Sequence, residues 1–449
     1  MAWRFLILIA LAFTISLGKE TSSAYAKPIA QPSTQISPKL AQAGVDYHGR
    51  ASEKLNRGDY KGAIADYTEA IRLKPDDANA YFNRGIAKSN LGDNKGAIAD
   101  YTEAIRLKPD DANAYLNRGL EKYDLGDKQG AIADYTKAIR LKPDYADAYC
   151  NRGIAKSNLG DNKGAIADYT EAIRLKPDDA IFYSFRGNVR SALEDKRGAI
   201  ADYTEAIRLK PDDANAYFNR GIAKSNLGDQ KGAIADYTEA IRLKPDDAIF
   251  YSFRGNVRSA LEDKRGAIAD YTKAIRLKPD YTYAFNNRGY AKSALGDKQG
   301  AIADYTEAIR LNSNNADAYY HRGDMRSDLG DKKGAIADYT EAIRLTEAIR
   351  IVPKSELFAL HFLYVSRADV KSALGDKRGA IADYTEAIRL KPDFAVVAYY
   401  HRGDMRSALG DKQGAIADYT EAIRLNPNFA NSYFNRGVAK SDLGDKKGA

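Results

Sequence analysis

The side chains that could do chemistry are few. His321 precedes Asp324 by three residues, and His401 precedes Asp404 in the same way. On a helix that spacing sets an imidazole and a carboxylate on one face, where they could hold a metal ion. Only His48 and His361 exist besides these, and the third ligand is missing, so no metal and no cofactor is expected. A hydrogen-bonding role remains for both histidines. The single cysteine, Cys150, leaves no disulfide to form within the chain, and a small, partly buried, inert thiol is expected. Arg-Gly-Asp occurs at residues 57–59, 322–324 and 402–404, a tripeptide that serves adhesion only on an exposed loop. The last two copies fall inside expected helices, and in the first the Gly is the expected helix terminator. Phosphate loops, dinucleotide fingerprints, paired zinc cysteines and nucleophile elbows are all missing. Catalysis is therefore not expected.

Charge points the same way. The net charge of +8 is the difference between 69 basic and 61 acidic residues, and both signs recur along the whole chain. Such mixing describes a solvated surface, and it disfavours nucleic acid as a partner, which would call for a clustered basic patch. A hydrophobic fraction of 44% is enough for a substantial core and excludes bulk disorder.

The elements that position these side chains come from repetition. Residues 1–26 carry a short basic start, an apolar run from Phe5 to Leu17 and a small-x-small end at Ala24 to Ala26, the pattern of a signal peptide. Export to a bacterial periplasm or beyond the cell is expected, with no membrane span after cleavage. A Pro-rich linker is expected over 27–43. From residue 44 the chain repeats every 34 residues. Nine units are expected over 44–349, an insertion over 350–360, and two further units with a terminal half unit over 361–449. In one unit Asp77 sits where an N-cap is wanted, and Tyr81, Gly85 and Leu91 follow at helical spacing until Gly92 ends the helix. A second helix runs from near Asp93 through Ala97, Tyr101 and Ala104 until Pro109 forbids continuation. Gly85 and Ala97 let the pair approach while Tyr81 and Tyr101 fill the space around them. The Arg before each such Gly, as Arg84, and the Asp before each second Tyr, as Asp100, are expected to form a ladder of ion pairs. The near-duplicate hexapeptides at 340–345 and 346–351 precede an unusually apolar stretch, Leu357, Phe358, Leu360, Phe362 and Leu363. Two expectations stand for it: a hinge or docking patch, or an insertion absorbed by longer helices.

The order aromatic, Gly, Ala, aromatic, Ala, Pro at a 34-residue period resembles the tetratricopeptide repeat family, in an exported bacterial form, over residues 44–449. The resemblance implies an all-α fold: an α-solenoid, a right-handed superhelix of antiparallel helix pairs. It departs from the family at Arg84 and its equivalents, where an apolar residue is usual. It also implies that each unit's first helix lines a concave groove for a protein or peptide segment. Carried over, the groove residues are Phe82, Asn83, Leu116, Asn117, Asn151, Phe185, Phe218, Asn219, Phe253, Asn287, Tyr320, His321, Tyr400, His401, Phe434 and Asn435. Asn both donates and accepts, so a row of them could pair with the backbone of a bound segment; the opposing reading has them tie neighbouring helices together. A non-enzymatic interaction scaffold is thus expected. Self-association of arrays and single-stranded RNA binding are the alternatives.

Overall fold

The computed structural model describes residues 41–348, 354–445 and 448. The expected signal peptide, the linker up to residue 40 and residues 349–353 lie outside these. The chain forms two compact units that divide after Lys244. The first holds α1 (Ala41–Asn56), α2 (Tyr60–Leu73), α3 (Ala78–Asn90), α4 (Asn94–Leu107), α5 (Ala112–Asp124), α6 (Lys128–Leu141), α7 (Ala146–Asn158), α8 (Asn162–Leu175), α9 (Ala180–Ala192), α10 (Lys196–Leu209), α11 (Ala214–Leu227) and α12 (Gln230–Leu243). The second holds α13 (Ala248–Ala260), α14 (Lys264–Leu277), α15 (Thr282–Ala294), α16 (Lys298–Leu311), α17 (Ala316–Asp328), α18 (Lys332–Glu347), α19 (Lys354–Ala373), α20 (Lys377–Leu390), α21 (Val396–Ala408), α22 (Lys412–Leu425) and α23 (Ala430–Asp442). Odd-numbered helices open a repeat and even-numbered ones close it. The fold is an all-α solenoid of tandem helix pairs.

Local chemistry sets each boundary. Asp77 caps α3 by accepting from the backbone N–H groups of Asn79 and Ala80, two of the donors that a helix start leaves unpaired. Gly92 takes φ +79° to turn the chain out of α3, a conformation that side chains resist. Asp93 then caps α4 through the Gly96 N–H. A Cβ at residue 96 would lie 2.0 Å from the Asp93 carboxylate, so this cap requires glycine there. The pairing Gly92 and Gly96 thus belongs to a turn and a cap. Arg57 to Asp59 occupy the same turn one unit earlier, with Gly58 at φ +79° and Asp59 capping α2. Tyr145, Tyr281 and Phe429 stand where Asp77 does, and no side chain caps those helices.

Packing inside a pair follows from small against large. A Cβ on Gly85 would fall 2.6 Å from the Tyr101 ring, so the two helices close to a distance that only glycine permits. Tyr101 is fully buried, as are Ala97 and Ala104 beside it. Gly323 and Gly403, inside the second and third Arg-Gly-Asp copies, lie under Tyr339 and Tyr419 in the same manner.

Expected boundaries shift in two places. Helix α1 opens at Ala41, so the last residues assigned to the linker are helical. From Lys354 onward the expected insertion is helix, since α19 is 20 residues long and α18 is 16, against 13 or 14 in neighbouring pairs. Leu360 and Leu363 are buried in the core that α18 to α20 share. Tyr364 donates to Glu347 at 2.7 Å and ties α19 to the end of α18. Phe362 stays exposed, and Phe358 packs on Phe394 with ring centres 4.7 Å apart. Most of the apolar stretch is therefore taken up by lengthened helices.

Candidate functional site

The Arg–Asp ladder forms, with a second cation that the spacing argument missed. Arg84 donates to both Asp100 oxygens, at 2.7 and 2.9 Å, and Lys88, one helical turn on, places its ammonium 2.8 Å from the same carboxylate. Arg84 also donates to Thr68 of the preceding second helix, at 3.1 Å, and lies over the Tyr81 ring. One guanidinium thus joins its own pair to the pair before it, which is what compensates for a cation where the family favours an apolar side chain. The signal was present in the sequence: a Lys or Arg follows each such Arg by four residues, as Lys122 follows Arg118 and Arg406 follows Arg402.

First helices also touch one another. Within the first unit α1 meets α3, α5 meets α7, α7 meets α9 and α9 meets α11; within the second, α13, α15, α17 and α19 meet in turn, as do α21 and α23. No comparable contact joins one second helix to the next among the described residues. In each unit the first helices therefore form the tighter, inner layer and the second helices the wider, outer one.

Several groove residues expected on that inner face are instead inside the protein. Phe82, Leu116, Phe218 and Phe253 are at most 4% exposed, because each fills the space between its own second helix and the next repeat. Phe82 and Phe218 meet the rings of Tyr101 and Tyr237 with centres 5.7 Å apart. Asn83, Asn117 and Asn151 are buried as well; Asn151 donates to the Asp147 carbonyl within its own helix. Asn219 donates to Asn188, Asn287 to Asn256, and Asn435 to Asp404 and Tyr400. These four bonds link successive first helices, which is the tying role. Phe185 is half-buried and stacks on Tyr169. Tyr320 and Tyr400 pack on Tyr339 and Tyr419, and His321 and His401 stack on Tyr305 and Tyr384. Phe434 alone of the expected apolar row stands in solvent, 72% exposed.

Exposure is kept instead by several residues one turn further along the first helices: Leu120 and Asn188 in the first unit, and Asn256, Tyr290, Asp324, Asp369 and Asp404 in the second; Ile86, Ile154 and Ile222 at the same place are buried. Where this residue is Ser, Asn or Asp, the tyrosine hydroxyl fifteen residues on bonds to it: Tyr67 with Ser52, Tyr203 with Asn188, Tyr271 with Asn256, Tyr339 with Asp324, Tyr384 with Asp369 and Tyr419 with Asp404. Where it is Ile86, the buried Tyr101 hydroxyl has no partner. Burial pushes the Asp324 carboxyl above its ordinary range and the His321 imidazole below its own. Cys150 is fully buried, and burial raises its thiol well above the usual range.

Two departures were not anticipated. Glu121 is 5% exposed where Ala87, Ala155 and Ala223 stand in other repeats; Ser89 of the preceding first helix donates to it at 2.6 Å. Glu194 and Glu262 hold φ +62° and +66° where other repeats place glycine. Comparing repeats with one another would have found both.

Comparisons with known proteins agree with this architecture. Profiles described as TPR repeat match residues 53–92, 90–126, 119–160, 197–228, 293–330 and 403–444. Profiles described as tetratricopeptide repeat match 146–179 and 214–247, and a further one 248–281, 316–349 and 363–394. No curated protein matches the chain. Among solved structures, YrrB, titled a TPR protein with an unusual peptide-binding site, is 25% identical over 41% of this chain and 95% of its own, with a TM-score of 0.38. A tetratricopeptide repeat protein from Parabacteroides merdae is 18% identical over 56% of this chain and 99% of its own, TM-score 0.42. Yeast Tom70 is 18% identical over 91% and 97%, TM-score 0.37.

Proposed function

The chain belongs to the tetratricopeptide repeat family and is a protein-interaction scaffold, and from that premise we propose that the inner layer of first helices receives an extended segment of a protein partner. The observation that carries this is the helix contact pattern: most neighbouring first helices within a unit meet, and no comparable contact joins second helices among the described residues, so the first helices supply the inner surface of each unit. The partner is held by inner-face side chains such as Leu120, Asn188, Tyr290 and Asp369, while Asn219, Asn287 and Asn435 keep their first helices in register. A rigid, preformed surface limits the ordering cost of binding to the partner's side. The work is non-enzymatic, and the pattern at residues 1–26 supports an exported setting for it.

Capture from an envelope extract tests this when paired with surface variants. The full chain should retain specific proteins, and Tyr290→Glu with Asp369→Arg should abolish that retention. Ala99→Glu, on the exposed face of α4, should leave it intact. Equal retention by all three chains would sink the inner-face assignment.

A further inference from the structure

Three first helices of the second unit, α17, α19 and α21, carry an aspartate at the same place in the repeat: Asp324, Asp369 and Asp404. The first unit has the uncharged Ile86, Leu120, Ile154, Asn188 and Ile222 there. Each aspartate accepts a tyrosine hydroxyl, from Tyr339, Tyr384 and Tyr419 at 2.7, 2.5 and 2.7 Å, and Asp404 accepts from Asn435 as well. Neither kind of bond brings charge. The imidazoles of His321 and His401 stand beside Asp324 and Asp404, but no lysine or arginine among the described residues pairs with any of the three.

The cations of the same helices are committed elsewhere. Arg322 and Arg326 meet Asp338, Arg367 and Lys371 meet Asp383, and Arg402 and Arg406 meet Asp418. The inner carboxylates are therefore left without counter-charges in a chain whose net charge is +8. Burial pushes the Asp324 carboxyl above its ordinary range, a cost that an arriving cation would offset.

Contacts between the first helices set these carboxylates in a row. The Tyr290 ring of α15 meets the His321 ring of α17, α17 touches α19, and Ser372 of α19 donates to the Met405 sulfur of α21. Aromatic rings line the same surface. Tyr290 is 49% exposed, and Tyr320 and Tyr400 precede Asp324 and Asp404 by one helical turn.

We infer that this row is a docking surface for an extended segment of a protein partner that carries lysine or arginine at about every third residue. The inference rests on the inner-face reading and names the partner's chemistry for the second unit. Carboxylates without counter-charges take ammonium or guanidinium groups through charge-assisted bonds. The tyrosine rings beside them attract the same cations, as the Tyr319 ring attracts Arg322 within this chain. Spacing fixes the pattern. Packed helices lie about 8–10 Å apart, and a polyproline-type chain rises about 3.1 Å per residue with about three residues per turn. Every third side chain of such a segment then falls on one face at the interval of the carboxylates. The positive chain as a whole repels cations, so the attraction is local to this row.

The test is a titration of the full chain into a fluorescent peptide made of Lys-Pro-Ala three times over. One peptide should bind per chain, saturably and more weakly at high salt. A peptide with glutamate for each lysine should not bind, and one with its three lysines adjacent should bind at least fivefold more weakly. Asp324→Asn, Asp369→Asn and Asp404→Asn together should weaken binding at least tenfold with the melting temperature kept, since asparagine retains the tyrosine bond, as Asn188 does with Tyr203. Asp369→Lys should also weaken binding, and a peptide with glutamate for its central lysine should recover it. No saturable binding at millimolar peptide overturns the inference, as does binding indifferent to the triple asparagine variant. Envelope proteins retained by the parent chain and lost with Tyr290→Glu and Asp369→Arg, beside no binding of the cationic peptide, would overturn this inference and leave the inner-face reading standing.

Discussion

The Asp100 carboxylate accepts from Arg84 at 2.7 and 2.9 Å while the Lys88 ammonium stands 2.8 Å from it; its side chain is 5% exposed and those of the cations 15% and 19%. A buried charge with two opposite partners is a strong constraint without being a large net source of stability, because desolvation offsets most of the attraction. Asp100→Ala should therefore cost about 3–5 kcal/mol in urea denaturation, since two cations lose their partner inside the array. Replacing Arg84, Lys88 and Asp100 together by leucine should come close to neutral. Arg106→Ala, which breaks an exposed pair with Glu103, should leave the urea midpoint almost unchanged. Similar losses for Asp100→Ala and Arg106→Ala would show that the ladder is decoration.

Acid should destabilise the array through Asp66, the carboxylate that opens the ladder. The hydrogen bonds from Arg50 hold the Asp66 carboxyl at about 2, below its ordinary 3.8. The folded pKa is the lower one, so the unfolded chain takes the proton first. Stability from this group is complete above about pH 4 and is lost as pH falls toward 2. The urea midpoint should drop across that window, and Asp66→Asn, weaker at neutral pH, should show a shallower drop. A midpoint independent of pH between 4 and 2 contradicts this.

Glu194 holds φ +62° at the end of α9, where a Cβ strains the backbone. Its side chain is 61% exposed and lies 3.3 Å from Lys196, a surface pair of little worth. Glu194→Gly should thus stabilise the chain by about 1 kcal/mol, strain relief exceeding the entropy that glycine loses. Glu262→Gly should do the same in the second unit, and the two gains should add. A higher melting temperature for each variant is the readout.

What the sequence disclosed, and what it hid, divides along the range of the forces involved. Asp77, Gly92, Gly85 and Tyr101 answer to local demands: an orphaned N–H, a left-handed turn, a close approach within one hairpin. Such demands fix residue type at fixed spacing, so they could be read. Whether Asn83 faces solvent or a neighbouring helix depends on how one hairpin sits against the next, which a few degrees of rotation decide. The expected groove row therefore slid by one turn where a face stays open, from Leu116 and Asn117 to Leu120, and from Tyr320 and His321 to Asp324. Lys88 is hidden for another reason: Arg84 and Asp100 already balance one charge with one, so their spacing calls for no second cation.

The Tyr101 hydroxyl is buried with no partner, whereas Tyr203 donates to Asn188 at 2.8 Å. A buried hydroxyl without a bond carries its desolvation cost uncompensated, while a made bond contributes about 1 kcal/mol. Tyr101→Phe should accordingly be neutral or slightly stabilising, and Tyr203→Phe should cost about 1 kcal/mol. Since each ring keeps its packing, thermal denaturation isolates the hydroxyl. Equal losses would mean that Tyr101 has a partner, such as an ordered water.

Glu121 presents the sharpest local conflict with the repeat. The residue is 5% exposed and Ser89 Oγ is the one hydrogen-bond donor to its carboxylate among the described residues, with Asp124 adding like charge nearby. Burial raises its pKa above the ordinary 4.5. The folded state therefore holds the proton more tightly than the unfolded state, and stability from this group is lost as pH rises through the folded value. Glu121→Ala restores the residue that Ala87, Ala155 and Ala223 supply elsewhere, and at pH 7 to 8 it should stabilise the chain by about 1 kcal/mol. The gain should shrink below about pH 4, where both states carry the proton and the charge that burial penalises is gone. A variant less stable than the parent at pH 8 would mean that Glu121 meets a cation there, and that its departure from alanine serves binding at the inner face between α3 and α5.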